Sequence, residues 1–155
     1  IGCGRGYDAV TFAKAGFEVT AIDFSHNAVM DARENARKAG VDIKVIRENI
    51  FDLPEDLFYQ FDYVMEYTCF CAISPTRRFE YDRVVWQLLK PEGKLLGLFL
   101  PLDKELEEGG PPWGVKISEL HKLFGLHWNL EYEKMPKESI DRRADREILM
   151  VWRKK

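Results

Sequence analysis

Apolar and polar residues in the first third of the chain follow the periods of strands and helices. Residues 17–23 are apolar and β-rich, which predicts a strand. Residues 25–40 then show helical spacing, with Ser25 placed to cap the helix and Gly40 to end it. A second β-rich run covers residues 42–48. The order strand, helix, strand predicts a βαβ unit whose strands are parallel.

The middle of the chain repeats this order. Residues 61–67 and 93–101 predict two further strands, and the second is almost continuously apolar, as expected when both faces of a strand are covered. Between them, Ser74 and Pro75 predict the start of a helix that continues through Lys90. The face of this helix that we expect in the core carries Tyr81, Val84, Val85, Leu88 and Leu89.

The last third of the chain is less regular. Residues 102–116 form a long loop rich in Glu, Gly and Pro, and Ser118 begins a short predicted helix. Residues 127–135 and 146–154 predict two final strands. A loop this long inside a domain is usually functional or disordered. The alternating elements indicate an α/β fold with a mostly parallel sheet, formed by one domain over residues 1–155.

Composition and charge narrow the class of protein. The 155 residues are 46% hydrophobic and 32% charged, a balance typical of a globular domain. A net charge of -3 argues against binding to nucleic acid, and no apolar run approaches the roughly 20 residues that span a membrane. Cys3, Cys69 and Cys71 lack the paired spacing of a disulfide framework or a zinc site. We therefore expect a cytoplasmic protein that binds neither nucleic acid nor membrane.

The first ten residues, IGCGRGYDAV, place glycines at alternate positions before a short predicted helix. In α/β folds such a loop marks the ligand-binding end of the sheet. Gly2 and Gly4 fit the dinucleotide-binding fingerprint, but its third glycine position falls on Tyr7. Asp23 ends the next predicted strand, seventeen residues beyond Gly6, where a carboxylate can accept both hydroxyls of a ribose.

This combination of glycine loop, acidic residue and βαβ order resembles the class I S-adenosylmethionine-dependent methyltransferases. The resemblance implies a Rossmann-like, three-layer α/β sandwich whose mostly parallel sheet has an antiparallel C-terminal strand. It implies S-adenosylmethionine as cofactor and S-adenosylhomocysteine as product. A sulfonium with an amino acid tail carries no pyrophosphate, which fits the absence of the third fingerprint glycine.

Four later stretches resemble one family within that class, the thiopurine methyltransferases, which include halide and thiol methyltransferases. They are EYTCFCAISP at 66–75, LLKPEGKLL at 88–96, GLFLPLD at 97–103 and EGGPPWGV at 108–115. The resemblance extends from Gly2 to about Leu123. It implies methyl transfer to a small soft nucleophile, which is a thiol, a thiopurine-like thione, hydrosulfide or a halide.

The resemblance also implies which residues bind. The glycines would line the methionine part of the cofactor. Asp23 would bind the ribose, and Asn49 would lie beside the adenine. The expected cofactor-binding residues are Gly2, Cys3, Gly4, Gly6, Asp8, Asp23, Phe24, Asn49, Ile50, Phe51, Glu66 and Tyr67. The expected residues of an apolar acceptor pocket are Phe70, Pro111, Pro112 and Trp113.

Several of these residues have structural alternatives. Phe70 and Trp113 would also fit core packing, and Asn49 would also fit a cap of the turn that follows it. The cysteines fit small buried apolar residues better than methyl acceptors or metal ligands. Arg77 and Arg78 fit a solvated first helical turn or the steering of an anionic acceptor.

No catalytic acid or base and no metal site is expected. A thiolate or halide is already a strong nucleophile, so methyl transfer to it needs little help from a base. The three histidines, His26, His121 and His127, share no spacing typical of metal ligands.

Three alternative functions are also compatible with the sequence. One is a class I methyltransferase that acts on a quinone or a metabolite oxygen, and another is a nicotinamide-dependent oxidoreductase, which the tyrosine at the third glycine position disfavours. The last is a non-catalytic cofactor-binding domain. Only Ile1 remains of the strand expected before the glycine loop, so we expect this sequence to be the C-terminal part of a longer protein.

Overall fold

Helices and strands follow one another in the predicted order. The structure is a computed structural model that describes residues 1–155, and its contacts fall into two compact units, Ile1–Leu53 and Pro54–Lys155. The first unit contains α1 (Tyr7–Lys14), β1 (Thr20–Asp23), α2 (His26–Ala39) and β2 (Lys44–Arg47). The second contains β3 (Phe61–Tyr67), α3 (Arg78–Leu88), β4 (Leu89–Phe99), α4 (Ile117–Phe124), β5 (Trp128–Lys134) and β6 (Ile148–Lys154).

The strands form two sheets, one in each unit. In the first unit β1 pairs with β2 in parallel. In the second unit the order is β3-β4-β6-β5, with β3 parallel to β4 and with β6 antiparallel to both of its neighbours. The α/β class and the antiparallel C-terminal strand are therefore confirmed. The expectation of one domain over residues 1–155 stays a prediction.

The ends and the buried face of α2 agree with the capping residues and the hydrophobic spacing in the sequence. The Ser25 side chain accepts a hydrogen bond from the Ala28 amide, and Gly40 ends the helix in the left-handed conformation at φ 67°. These are the cap and the stop that the sequence predicts. Val29, Ala32 and Ala36 form the buried face, which matches helical spacing. The strand predicted over 17–23 begins only at Thr20.

The helix in the middle of the chain differs from its prediction at both ends. A short 3-10 turn precedes it, and the Ser74 side chain makes no capping hydrogen bond. The helix ends at Leu88, before the predicted Lys90. Pro91 accounts for this end, because a residue before proline is disfavoured in the helical conformation. The predicted core face is confirmed, since Tyr81, Val84, Val85, Leu88 and Leu89 are all buried.

The carboxyl ends of the parallel strands locate the regions where a ligand would be expected in each unit. In the first unit Asp23 ends β1, and residues 48–52 follow β2. In the second unit residues 68–72 follow β3, and residues 100–116 follow β4. No helix combines the length and the apolar character that crossing a membrane requires.

Candidate functional site

Two backbone amides of the glycine loop donate hydrogen bonds to the end of β1. The Cys3 amide donates to the Ile22 carbonyl at 2.9 Å, and the Gly4 amide donates to the Asp23 carboxylate at 2.9 Å. Gly2, Gly4 and Gly6 have φ values of 59°, 51° and 74°, in the left-handed region that other residues rarely adopt. The loop therefore has a fixed shape that depends on glycine.

The individual glycines serve different purposes. A Cβ atom at Gly6 would lie 2.9 Å from the Cβ of Ala32, so this glycine lets the loop pack against α2. A Cβ atom at Gly4 would meet no heavy atom within 4 Å. The backbone at Gly4 therefore borders open space that a ligand can enter, as a cofactor-binding glycine requires.

Asp23 is oriented by two backbone amides. Its side chain accepts from Gly4 through Oδ2 and from Ser25 through Oδ1, both at 2.9 Å, and the residue is only 8% exposed. Each carboxylate oxygen can accept a further hydrogen bond, which fits the two hydroxyls of a ribose. The next residue, Phe24, is 75% exposed and leaves an aromatic ring free for a planar ligand.

Asn49 caps the 3-10 turn that follows β2. Its Oδ1 accepts from the Phe51 amide at 3.2 Å, and its Nδ2 donates to Asp52 at 2.8 Å. The capping alternative is therefore what the structure shows, and the contact of Asn49 with adenine stays a prediction. Ile50 is buried and Phe51 is half-buried, whereas Asp8 is exposed in the first turn of α1.

Glu66 lies in the core of the second unit and is 1% exposed. Its Oε1 accepts from the amides of Cys69 and Phe70 at 3.0 and 2.8 Å, and its Oε2 accepts from the Tyr81 hydroxyl at 2.5 Å. Burial raises the pKa of the Glu66 carboxyl, and it raises the pKa of Tyr81 well above its usual value. The side chain thus holds the turn after β3 by hydrogen bonds.

Tyr67 contacts a polar cluster that no pattern in the sequence indicates. Its hydroxyl donates to Glu147 at 3.4 Å, and the Arg143 guanidinium lies 4.6 Å from the centre of its ring. Glu147 is buried and also accepts from the Ser139 hydroxyl at 2.6 Å. Burial and the nearby Glu147 raise the pKa of the Tyr67 phenol, so it remains protonated at neutral pH.

The expected acceptor residues occupy different environments. Phe70 is 2% exposed and packs against the rings of Tyr81 and Phe99 at 5.2 and 5.5 Å, so its side chain belongs to the core. Trp113 is half-buried, and its amide donates to the Cys71 carbonyl at 2.7 Å. Pro111 and Pro112 are exposed. The roles of these residues toward an acceptor stay predictions.

Arg77 and Arg78 both have protein partners. Arg77 forms a two-pronged ion pair with Glu80. Arg78 is buried, in contrast to the solvated first turn that the sequence favoured, and it donates to the Gly114 carbonyl at 2.8 Å and to Glu119 at 3.2 Å. Arg78 therefore links the start of α3 by hydrogen bonds to α4 and to the loop that precedes it.

A cavity of about 360 Å³ lies after β4 in the second unit. Its lining residues are Leu100, Pro101, Lys104, Pro112, Arg142, Arg143 and Arg146. Of these cations, Arg146 pairs with Asp103 at 2.8 Å, and Lys104 donates to the Pro112 carbonyl. The lining thus combines cationic side chains with apolar residues. The arginines come from an irregular segment before β6, where no sequence period marks them.

Two of the three cysteine thiols, those of Cys3 and Cys71, stay protonated at neutral pH. Burial raises the pKa of Cys71 to about 11 and also raises that of Cys3. Neither thiol is therefore activated as a nucleophile. Cys71 is buried, as the sequence predicts for a small apolar residue.

Replacing Glu66 with Gln should change how stability depends on pH. Because the folded-state pKa of Glu66 is raised, its contribution to stability is fully present below the unfolded pKa of about 4.3 and is lost as pH rises through the folded pKa. Glutamine does not titrate. Across that window the wild type should lose up to about 1.4 kcal/mol per pH unit relative to Glu66→Gln, as measured by denaturant unfolding.

Glu107→Gln, at an exposed position in the loop after β4, is the matched control and should keep the wild-type pH dependence. Parallel stability curves for the wild type and Glu66→Gln would contradict the assignment of a raised pKa to Glu66.

Comparison with known proteins identifies the family. The model of the thiopurine S-methyltransferase family matches residues 2–148. Thiocyanate methyltransferase 1 of Arabidopsis thaliana is 31% identical over 158 residues, covering 99% of this chain and 67% of that protein. Probable thiol methyltransferase 2 of the same plant is 36% identical over 128 residues, covering 79% of this chain and 54% of that protein. The chain thus spans about half to two thirds of these relatives.

Solved structures agree on the fold. A protein of Pyrococcus horikoshii OT3 superposes with a TM-score of 0.80 at 22% identity, covering 99% of this chain and 79% of that one. The 1,6-didemethyltoxoflavin-N1-methyltransferase of Burkholderia thailandensis, solved with S-adenosylhomocysteine, has a TM-score of 0.77 at 20% identity, covering 99% of this chain and 68% of that one. Together with the family match, this fold confirms the resemblance that the sequence suggests, and the chain belongs to the thiopurine S-methyltransferase family.

Proposed function

We propose that this protein transfers the methyl group of S-adenosylmethionine to a small soft nucleophile such as a thiol, a thione, thiocyanate, hydrosulfide or a halide. The observation that carries the proposal is the glycine loop, which the Asp23 carboxylate holds in place while the backbone at Gly4 faces open space. The family match over residues 2–148 supports it, as do the thiocyanate and thiol substrates in the names of the relatives.

The cofactor would be held by groups that are already oriented. The loop from Gly2 to Gly6 would contact the methionine part, and Asp23 would accept from the ribose hydroxyls. Phe24 and the turn at 49–51 would lie against the adenine. When bound, S-adenosylmethionine supplies a methyl group that its sulfonium has already activated.

The site would favour acceptors that are anionic and that react without a general base. The cavity after β4 offers Lys104, Arg142 and Arg143 to an anion, and Leu100 and Pro101 as an apolar wall that excludes water. Methyl transfer would form a bond between the nucleophile and the methyl carbon as the bond from that carbon to the sulfonium breaks. With an anionic nucleophile the two charges would cancel, so surroundings that exclude water would lower the barrier.

The chain's titratable groups suit this chemistry. The raised pKa values of Tyr67 and Cys71 keep both groups protonated, so neither serves as a base at neutral pH. A thiolate, thiocyanate or halide does not need one. The three cysteines, none of which forms a disulfide, also fit the cytoplasmic location that the sequence suggests.

Replacing Gly4 with Ala should separate cofactor binding from folding. The new methyl group would enter the open space beside the loop, so we expect affinity for S-adenosylhomocysteine to fall by about tenfold or more, since a 1.4 kcal/mol loss already corresponds to tenfold. Gly40→Ala is the matched control. It also has a positive φ and no atom within 4 Å of the added Cβ, but it ends α2.

Both variants should lose about 1–2 kcal/mol of stability, because alanine is strained at positive φ. Calorimetric titration should show that only Gly4→Ala weakens binding. Equal affinity of the two variants would contradict a cofactor contact at Gly4.

A panel of acceptors should reveal the substrate class. Hydrosulfide, thiocyanate, iodide, an aromatic thiol and a thiopurine would each be incubated with the protein and labelled S-adenosylmethionine, beside a phenol and a quinol as oxygen acceptors. We expect methylation of the sulfur or halide acceptors and at least about tenfold lower kcat/KM for oxygen, because oxygen nucleophiles are weaker without a base. Preferential methylation of the oxygen acceptors would instead favour the alternative substrate class.

A further inference from the structure

Residues 112–115, in the loop after β4, contribute to the wall of the cavity in the second unit. The Pro112 carbonyl accepts from the Lys104 ammonium at 2.7 Å, and the Val115 amide donates to the Pro101 carbonyl at 3.0 Å. Pro112, Lys104 and Pro101 all line the cavity. The first and last residues of the 112–115 segment are therefore bonded to groups of the cavity lining.

The two middle residues of this segment are bonded to groups outside the cavity. The Trp113 amide donates to the Cys71 carbonyl at 2.7 Å, and the Gly114 carbonyl accepts from the Arg78 guanidinium at 2.8 Å. A Cβ atom at Gly114 would lie 2.1 Å from the Lys104 carbonyl oxygen, so the backbone is closely packed here. Each of the four residues thus has a hydrogen bond that fixes its position.

Arg78 joins the 112–115 segment to two other parts of the second unit. Its guanidinium also donates to Glu119 of α4 at 3.2 Å, and it lies 4.7 Å from the centre of the Phe70 ring, in the turn after β3. Arg78 is 7% exposed, whereas the Glu119 side chain is 43% exposed. One buried side chain thus contacts the segment, α4 and the turn after β3.

Packing alone does not favour an arginine at position 78. Its Nε atom is buried and has no hydrogen-bond partner. A buried donor without a partner destabilises a fold, and apolar side chains of similar volume often replace a buried ion pair without loss of stability. An apolar side chain lacks, however, the planar guanidinium that donates to two acceptors at once. The guanidinium therefore provides directed bonds that packing does not require.

We propose that Arg78 is a positioning residue for the methyl acceptor, because its bond to the Gly114 carbonyl sets where Pro112 lies in the wall of the cavity. Gly114 follows Pro112 by two residues, so a shift of one displaces the other. A gap of about half an ångström or more between apolar atoms already forfeits a large part of their contact energy. The inference rests on the proposed function, in which this cavity receives the acceptor.

Two alternatives predict different results. If Arg78 attracted the acceptor by its charge, its loss would weaken the binding of anionic acceptors and leave neutral ones unchanged. If Arg78 only stabilised the packing of α3 on α4, loss of its ion pair with Glu119 would have the same effect as loss of Arg78. Under the proposal, anionic and neutral acceptors are both affected, and the bond to Gly114 matters more than the ion pair.

The experiment compares Arg78→Met, Arg78→Lys and Glu119→Gln with the wild type in the purified protein. KM and kcat are measured for thiocyanate and for a neutral thione, and a thione that is not methylated is measured as a competitive inhibitor. Affinity for S-adenosylhomocysteine is measured by calorimetry. Arg78→Met should raise the constants of both acceptors about tenfold. Its kcat and its affinity for S-adenosylhomocysteine should stay within about twofold of the wild type, since only the wall that contacts the acceptor has moved.

The other variants separate the two bonds of Arg78. Arg78→Lys should raise the constants of both acceptors about threefold, because lysine keeps the charge but not the two-acceptor geometry of the guanidinium. Glu119→Gln should stay within about twofold of the wild type, since Arg78 can still donate to Gly114. Arg83→Met, at an exposed position of α3, is the matched control and should match the wild type in every measurement.

Unchanged acceptor constants in Arg78→Met would overturn the positioning role. A rise confined to thiocyanate would overturn it in favour of a charge contact, and an equal rise in Glu119→Gln would overturn it in favour of helix packing. If Arg78→Met fails to fold, Arg78→Lys decides, because it should affect both acceptors under the proposal and neither if only the charge matters. A wild type that methylates no acceptor would instead contradict the proposed function itself.

Discussion

The Asp23 carboxylate and the two backbone amides that it accepts from are the interaction on which the candidate site depends. One amide belongs to the glycine loop and the other to the first turn before α2, so a single side chain joins the end of β1 to both segments. A buried carboxylate is stable only when its oxygens are satisfied. The same hydrogen bonds that satisfy Asp23 also give the loop its shape and leave Gly4 beside open space.

A second buried carboxylate organises the other unit in the same way. Glu66 has no cation among its hydrogen-bond partners and is satisfied by two backbone amides and a phenol. Both acidic residues lie at or next to the end of a parallel strand, and both use backbone amides of the following turn. Each unit therefore carries a turn whose conformation is fixed by a carboxylate from the preceding strand, which is how a protein prepares backbone groups for a ligand in advance.

The sequence predicts the elements of this fold well where local signals are strong. Ser25 and Gly40 mark the ends of α2, and the strand predicted over 61–67 coincides with β3, because capping residues and hydrophobic periods act within a few positions of the chain. Predictions fail where tertiary contacts decide. Arg78 is buried by contacts with Gly114 and Glu119, which lie far along the chain.

The candidate site likewise contains residues that the sequence predicts and residues that only the structure brings together. The glycine loop and Asp23 are recognisable because their spacing is regular, whereas the hydrogen bond from Tyr81 to Glu66 joins residues of different elements. The arginines of the cavity come from an irregular segment, so nothing in the sequence points to their common position. Residue spacing thus predicts the loop that would hold the cofactor, and only the structure reveals the groups that hold the turns in place.

We propose that the glycine loop and Asp23 form an S-adenosylmethionine site and not a dinucleotide site. Calorimetric titration of the protein with S-adenosylhomocysteine, and separately with NADH, tests it most directly. We expect saturable binding of S-adenosylhomocysteine at one site and no binding of NADH. Binding of NADH, or the absence of any heat with S-adenosylhomocysteine from a folded protein, would contradict it.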